Sequence, residues 1–240
     1  MESLQWHPES IKVLVALLYS VAGFAIYYFI SQAEGPALMI RNRFPALDPL
    51  VLNIILQRTW GFLFLGAGPL LIIAFSFHGR PSDFGLGFGS HHALPGWTYG
   101  LVPLILLMSY FTSHAPANLA QYPQIRCKKW TWGVLLLSTI SWIIFLVGYE
   151  FLFRGFLLFS ALSVMDPWIA VTLNVALYSL AHLYKGPMET FGALPFGFLL
   201  CYITLATGNI WGAVLLHSVM ALSNEWFSLK AHPNMKLVRK

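Results

Sequence analysis

Val147-Gly148-Tyr149-Glu150-Phe151-Leu152-Phe153-Arg154-Gly155 places a carboxylate and a guanidinium four residues apart inside the otherwise apolar run from Trp132 to Ser163. That run is long enough for one helix to cross the hydrocarbon core of a bilayer, which takes about 20 apolar residues. A charge at that depth costs about 2.5–3.5 kcal/mol even on the lenient insertion scale, so it persists only where it faces protein or a water-filled cavity. The stretch therefore predicts a spanning helix with a functional or helix-tying polar face.

Outward from it, further apolar spans lie at Ile11 to Gln32, Thr59 to Phe77, Trp97 to Ser113, Pro167 to Leu183, Glu189 to Ala206 and Ile210 to Leu229. The expected fold is an all-α, polytopic transmembrane helical bundle of about seven spans. Of 240 residues, 58% are hydrophobic and 10% charged, which excludes an ordinary soluble domain. Basic residues gather at Arg41 and Arg43, at Arg126, Lys128 and Lys129, and at Lys230, Lys236, Arg239 and Lys240. By the positive-inside rule the N-terminus is expected outside and the C-terminus in the cytoplasm, most simply in a bacterial inner membrane. The net charge of +5 is then a topology signal and a means of contact with anionic lipid, and it gives no reason to expect nucleic acid.

Met1 to Ser10 carries Glu2 and Glu9 and no basic n-region, so the first span is expected to stay rather than to be cleaved as a signal peptide. Gly-Pro joints such as Gly35-Pro36 and Gly186-Pro187 separate the spans, and no internal repeat is visible. The chain divides into 1–130, three N-terminal spans and their loops; 131–229, the part that carries the chemistry; and 230–240, a basic tail. Leu47 to Gln57 reads as an interfacial helix, with Arg58 reaching to headgroups. Cys127 and Cys201 read as apolar fillers, with no disulfide framework.

The second half holds His182, Lys185, Glu189, His217 and Asn224 beside Glu150 and Arg154. Counting from the outer turns at about 1.5 Å per residue puts Glu150, His182, Glu189 and Asn224 some 22–27 Å deep, and His217 nearer 12 Å. His217 and Asn224 share one face of the last span, as Tyr178 and His182 share one face of theirs. A cluster of carboxylates and imidazoles, open to the cytoplasm, follows if those faces turn inward.

Tyr149-Glu150-x-x-x-Arg154-Gly155, Tyr178-x-x-x-His182 and His217-x-x-x-Ala221, each on its own span, resemble the motifs of the CPBP family. These are the CAAX proteases and bacteriocin-processing proteins, also called Abi, which include the type II CAAX prenyl endopeptidases. Leu205-Ala206-Thr207-Gly208-Asn209-Ile210-Trp211 is similar to the family's approach to the last histidine. The resemblance implies an intramembrane endopeptidase in which a glutamate and the first histidine activate water, while the second histidine and an asparagine hold the oxyanion. Two positions depart from the pattern: Tyr149 stands for its first glutamate and Ala221 for its asparagine. Glu189 and Asn224 are the residues expected to stand in for them.

The expected catalytic set is thus Glu150, His182, His217 and Glu189, supported by Arg154, Asn224 and Tyr149. No cofactor is expected, although two imidazoles and a carboxylate would suit Zn²⁺. The expected partners are a peptide or lipidated peptide and membrane lipid. Tyr149 and Ala221 keep a second reading open, a noncatalytic CPBP-like scaffold or chaperone. A haem or carrier protein is a third, disfavoured by the roughly 10 Å difference in depth expected between the two histidines.

Overall fold

The computed structural model describes residues 8–43, 45, 48–87 and 93–239. Its helices are α1 (Pro8–Gln32), α2 (Glu34–Arg43), α3 (Pro49–Phe77), α4 (Gly96–Thr112), α5 (Pro116–Gln121), α6 (Trp132–Leu162), α7 (Pro167–Leu180), α8 (Pro187–Thr207) and α9 (Trp211–Ala231). Each expected span has its helix. Of these α1, α3, α6 and α8 are long and apolar enough to cross a membrane, whereas α4 and α7 are shorter apolar helices. The last, α9, is as long as α8 but carries His217, Asn224, Glu225 and Lys230.

Local chemistry starts and stops these helices where the sequence says it should. Asp48 caps α3 through Leu50 N–H, Thr131 caps α6 through Val134 N–H, and Asp166 caps α7 through Trp168 N–H. Each side-chain oxygen satisfies one of the backbone donors left free in a first turn. Pro49, Pro167 and Pro187 occupy first helical positions, where a missing N–H costs nothing. Gly208, at φ 69°, ends α8 in the left-handed region.

Helix α6 runs through the middle of the bundle, packed on α1, α3 and α9. It crosses α3 backbone against backbone: a Cβ added to Gly66 would lie 2.9 Å from the Gly148 Cα. That approach, available only to glycine, sets the residue before Tyr149 hard against α3. Phe145, Tyr149, Phe153 and Phe156 of α6 form the main core with Leu65 and Ile73 of α3, Tyr178 of α7, and Val214 and Ala221 of α9. A short parallel pair, β1 (Lys129–Trp130) with β2 (Lys236–Leu237), ties the segment after α9 to the loop before α6.

Two expectations are corrected. Pro49 to Gln57 is the first part of one helix running to Phe77, rather than a separate interfacial helix; Leu47 lies outside the described residues. Arg58 does not reach headgroups, being 3% exposed. Partners on α6, α9 and the loop before α6 hold it inside.

Candidate active site

The middle of α6 widens into a π-helical segment, Phe151–Leu157, that begins immediately after Glu150 and contains Arg154. Such wide turns are rare and gather at functional sites. Both charged side chains are fully buried. Arg154 Nη1 lies 3.3 Å from Glu150 Oε2, Nη2 donates to the Gly197 carbonyl at 3.4 Å, and the guanidinium carbon sits 4.0 Å from the centre of the Tyr178 ring. Three helices thus grip one cation. Gly197 admits this because it has no side chain: a Cβ there would come within 2.8 Å of Tyr178 and 3.4 Å of Arg154.

Glu150 uses its other oxygen on α9, where His217 Nδ1 lies 2.5 Å from Glu150 Oε1. A carboxylate paired with a guanidinium accepts, so Nδ1 donates, and in the neutral imidazole Nε2 then carries the lone pair. His182 is oriented the same way, with Nδ1 donating to the Tyr178 carbonyl at 2.8 Å. The Tyr149 hydroxyl lies 3.5 Å from that nitrogen. The Tyr149 ring stands edge-on to both imidazoles, its centre 6.0 Å from that of His182 and 5.7 Å from that of His217. Tyr178 also touches both rings. One imidazole therefore bonds to the buried carboxylate, and the second imidazole and the phenol are gathered beside it through the Tyr149 and Tyr178 rings.

The shared level of His217 and Glu150 overturns the 10 Å offset. The turn between α8 and α9 does not reach the outer end of α6. Ile210 N–H donates to the Gly85 carbonyl, and a Cβ on Gly85 would meet Phe159 at 3.0 Å and Ile210 at 3.1 Å. Phe159 is about 13 Å along α6 from Glu150, and Ile210 about 10 Å along α9 from His217, so both counts converge. Unequal depth is consequently no argument against a role shared by the two histidines.

Glu189 has partners of its own, although its neighbour Thr190 donates to the His182 carbonyl at 3.2 Å. Glu189, in the first turn of α8, is about 12 Å along the helix from Gly197. It accepts from Tyr122 Oη at 3.2 Å and pairs with Lys185 Nζ at 3.2 Å. Burial pushes the Tyr122 phenol up, so it remains a donor to Glu189. Asn224 shares a face with His217 but lies about 10 Å further along α9, next to Glu225. Its Oδ1 is buried without a hydrogen-bond partner among the described residues.

Zn²⁺ does not fit this donor set. Among the described residues no group of three His, Cys, Asp or Glu side chains is placed to hold a metal ion. Glu150 is already shared between His217 and a guanidinium that would repel a dication.

A second buried ionic centre escaped the sequence reading. Arg58 of α3 donates through Nη1 to the Ser138 carbonyl at 2.8 Å and to Ser141 Oγ at 2.8 Å, and through Nη2 to Gln124 Oε1 at 3.1 Å. Glu225 of α9 accepts from Ser138 Oγ at 3.1 Å, from Gln124 N–H at 3.0 Å and from Arg58 at 3.5 Å. Trp142 lies against the guanidinium, 4.3 Å from ring centre to carbon. The rule that singled out Glu150, an ionisable residue inside an apolar helix, would also have found Arg58 and Glu225.

Fold and site together define a helical membrane protein with a buried carboxylate–imidazole centre at the meeting of α6, α7, α8 and α9. Residues 129–223 match the family model for Rce1-like proteins, described as type II CAAX prenyl endopeptidase Rce1-like. The match covers Tyr149, Glu150, Arg154, His182, Glu189 and His217 and ends just before Asn224. It supports the CPBP, or CAAX protease, family for this region and, with the apolar helices, an integral membrane protein. No curated protein and no solved structure matches the chain.

Proposed function

We propose that the protein is an intramembrane endopeptidase of the CPBP/CAAX type that hydrolyses a peptide bond in a lipidated or membrane-inserted peptide near the cytoplasmic face. The observation that carries this reading is the 2.5 Å contact between His217 Nδ1 and Glu150 Oε1, with Glu150 also held by Arg154. A carboxylate on Nδ1 fixes the tautomer and stabilises the imidazolium that forms when Nε2 takes a proton. His217 Nε2 removes a proton from water as the oxygen attacks the peptide carbonyl, and returns it to the leaving amine as the C–N bond breaks. His182 Nε2 orients the same water. The Tyr149 hydroxyl is the neutral donor for the oxyanion.

Glu189 is the other carboxylate of the expected set; in this assignment it stays with Tyr122 and Lys185 and does not act as base. Pairing of Lys129 with Lys236 joins two basic segments at one end of the bundle. By the positive-inside rule that favours a cytoplasmic position for this end, with the N-terminus outside.

A noncatalytic scaffold or chaperone is favoured by one observation. The Tyr149 ring packs against both imidazoles at the position where the family pattern has a glutamate. Cleavage of fluorogenic peptides, prenylated and unprenylated, by wild type, Glu150→Gln, His182→Ala and Glu189→Gln, with and without a chelator, separates the readings. Activity kept in Glu189→Gln and with chelator, but lost in the other two, is the expected result. Folded wild type that cleaves nothing favours the scaffold, and full activity in Glu150→Gln overturns the assignment of roles.

A further inference from the structure

The wide turn of α6 raises the question of what holds it open. A π-helical segment gives up regular i→i−4 bonding, and its carbonyls turn partly away from the helix axis. Leu158 N–H spans back to the Phe153 carbonyl, five residues earlier, as such a turn requires. The same carbonyl has a second partner from outside the helix. Asn174 of α7, fully buried, donates from Nδ2 to Phe153 O at 2.6 Å. The orientation of its amide is set by a third helix, because Cys201 Sγ of α8 donates to Asn174 Oδ1 at 3.2 Å.

Phe153 adjoins Arg154 in the chain. Cys201 is one turn along α8 from Gly197, whose carbonyl receives Arg154 Nη2. The junction therefore fixes both ends of the distance over which Arg154 reaches. Arg154 in turn fixes Glu150, and Glu150 fixes the His217 tautomer.

We propose that Asn174 is a positioning residue for the active site: by binding the Phe153 carbonyl and the Cys201 thiol together, it holds the α6 π-turn in the register that sets Arg154 and Glu150 against His217. This inference rests on the proposed peptidase reading for its catalytic consequence, but the geometry it asserts is measurable without activity. With a leucine at 174 the carbonyl loses its outside partner. The segment then relaxes toward α-helical bonding, which turns Arg154 away from Gly197 and Tyr178. Misplacement of this kind, made without touching the reacting atoms, costs about tenfold to hundredfold in rate.

The test uses the full-length protein, with ¹⁵N-labelled histidine, in nanodiscs. In the wild type the His217 Nδ1 proton, donated to Glu150, is expected to give a low-field proton resonance. Asn174→Leu is expected to move or broaden that resonance and to lower kcat on a prenylated peptide with KM unchanged. Cys201→Ala is expected to do the same more weakly, and Cys201→Ser, which restores a donor to Asn174 Oδ1, to recover the wild-type signal. Ser138→Ala, in the other ionic centre, is the control for lost stability alone and should leave the resonance in place.

A wild-type resonance and wild-type kcat in Asn174→Leu would overturn the proposal. Should that variant fail to fold, the Cys201 pair decides: identical His217 signals in the Ala and Ser variants would equally overturn it. Wild type that cleaves no peptide would count against the peptidase reading, while the resonance would still decide the role of Asn174.

Discussion

Two buried ionic centres join α6 to α9, and they are built differently. In the Arg58–Glu225 centre the carboxylate accepts on both oxygens, from Ser138, from Gln124 N–H and from the guanidinium. Two serines, a glutamine and a tryptophan close the space around the pair. In the Glu150–Arg154 centre no serine or threonine hydroxyl among the described residues bonds to either charge. Glu150 Oε2 faces Arg154 at 3.3 Å without forming a directed hydrogen bond, and its other oxygen belongs to an imidazole. Ionic groups closed off by local donors lock helices together. A carboxylate shared with a histidine whose second nitrogen carries a lone pair has chemistry left to perform. The comparison thus sets an ion pair between α3 and α9 that local donors close off beside a carboxylate shared between Arg154 and His217, and the proposed chemistry is placed in the second.

The largest difference should appear in activity. His217→Asn keeps a donor where Nδ1 stood, and so keeps Glu150 paired, but removes Nε2. Peptide cleavage should fall by about 10²–10⁴-fold, with the thermal unfolding temperature in detergent nearly unchanged. The other centre should show the opposite pattern. Arg58→Met leaves Glu225 buried and unpaired and should cost about 3–5 kcal/mol in unfolding experiments. Adding Glu225→Gln, which removes the stranded charge and keeps an acceptor for Gln124 N–H, should recover most of that loss.

Smaller effects sharpen the boundary between the two. Gly197→Ala forces a methyl against Tyr178 and Arg154 and should cost about 1–3 kcal/mol, lowering stability and cleavage together. Tyr122→Phe deletes the hydrogen bond to Glu189, which remains paired with Lys185. It should cost about 0.5–1.5 kcal/mol and leave the cleavage rate alone. A large rate loss in Tyr122→Phe would return Glu189 to the catalytic set.

Much of this was legible in the sequence because it rests on local rules. Spans follow from apolar length, their ends from Asp48, Thr131, Asp166 and Gly208, and Glu150 with Arg154 from the cost of charge at depth. What was not legible depends on how helices sit against one another. The level of His217 depends on the turn after α8 docking on Gly85 beside Phe159, which residue counting from a common outer surface does not capture. The π-turn after Glu150 has no signature in Phe151 to Leu157; it is held by contacts from α7 and α8. Glu189 lies near the level of His182, its neighbour Thr190 donating to the His182 carbonyl, but depth does not show that its carboxylate is held by Lys185 and a loop tyrosine. Asn224 lies on the face of α9 that also presents His217, yet two turns further along, near the level of the other centre.

The central claim is that chemistry belongs to the Glu150–His217 pair and architecture to Arg58–Glu225. Its most direct test is the rate at which a prenylated fluorogenic peptide is cleaved in proteoliposomes by wild type, His217→Asn and the Arg58→Met/Glu225→Gln double variant, each compared below its own unfolding temperature. The account expects wild-type rates from the double variant and almost none from His217→Asn. Equal rates from all three, or loss confined to the double variant, would contradict it.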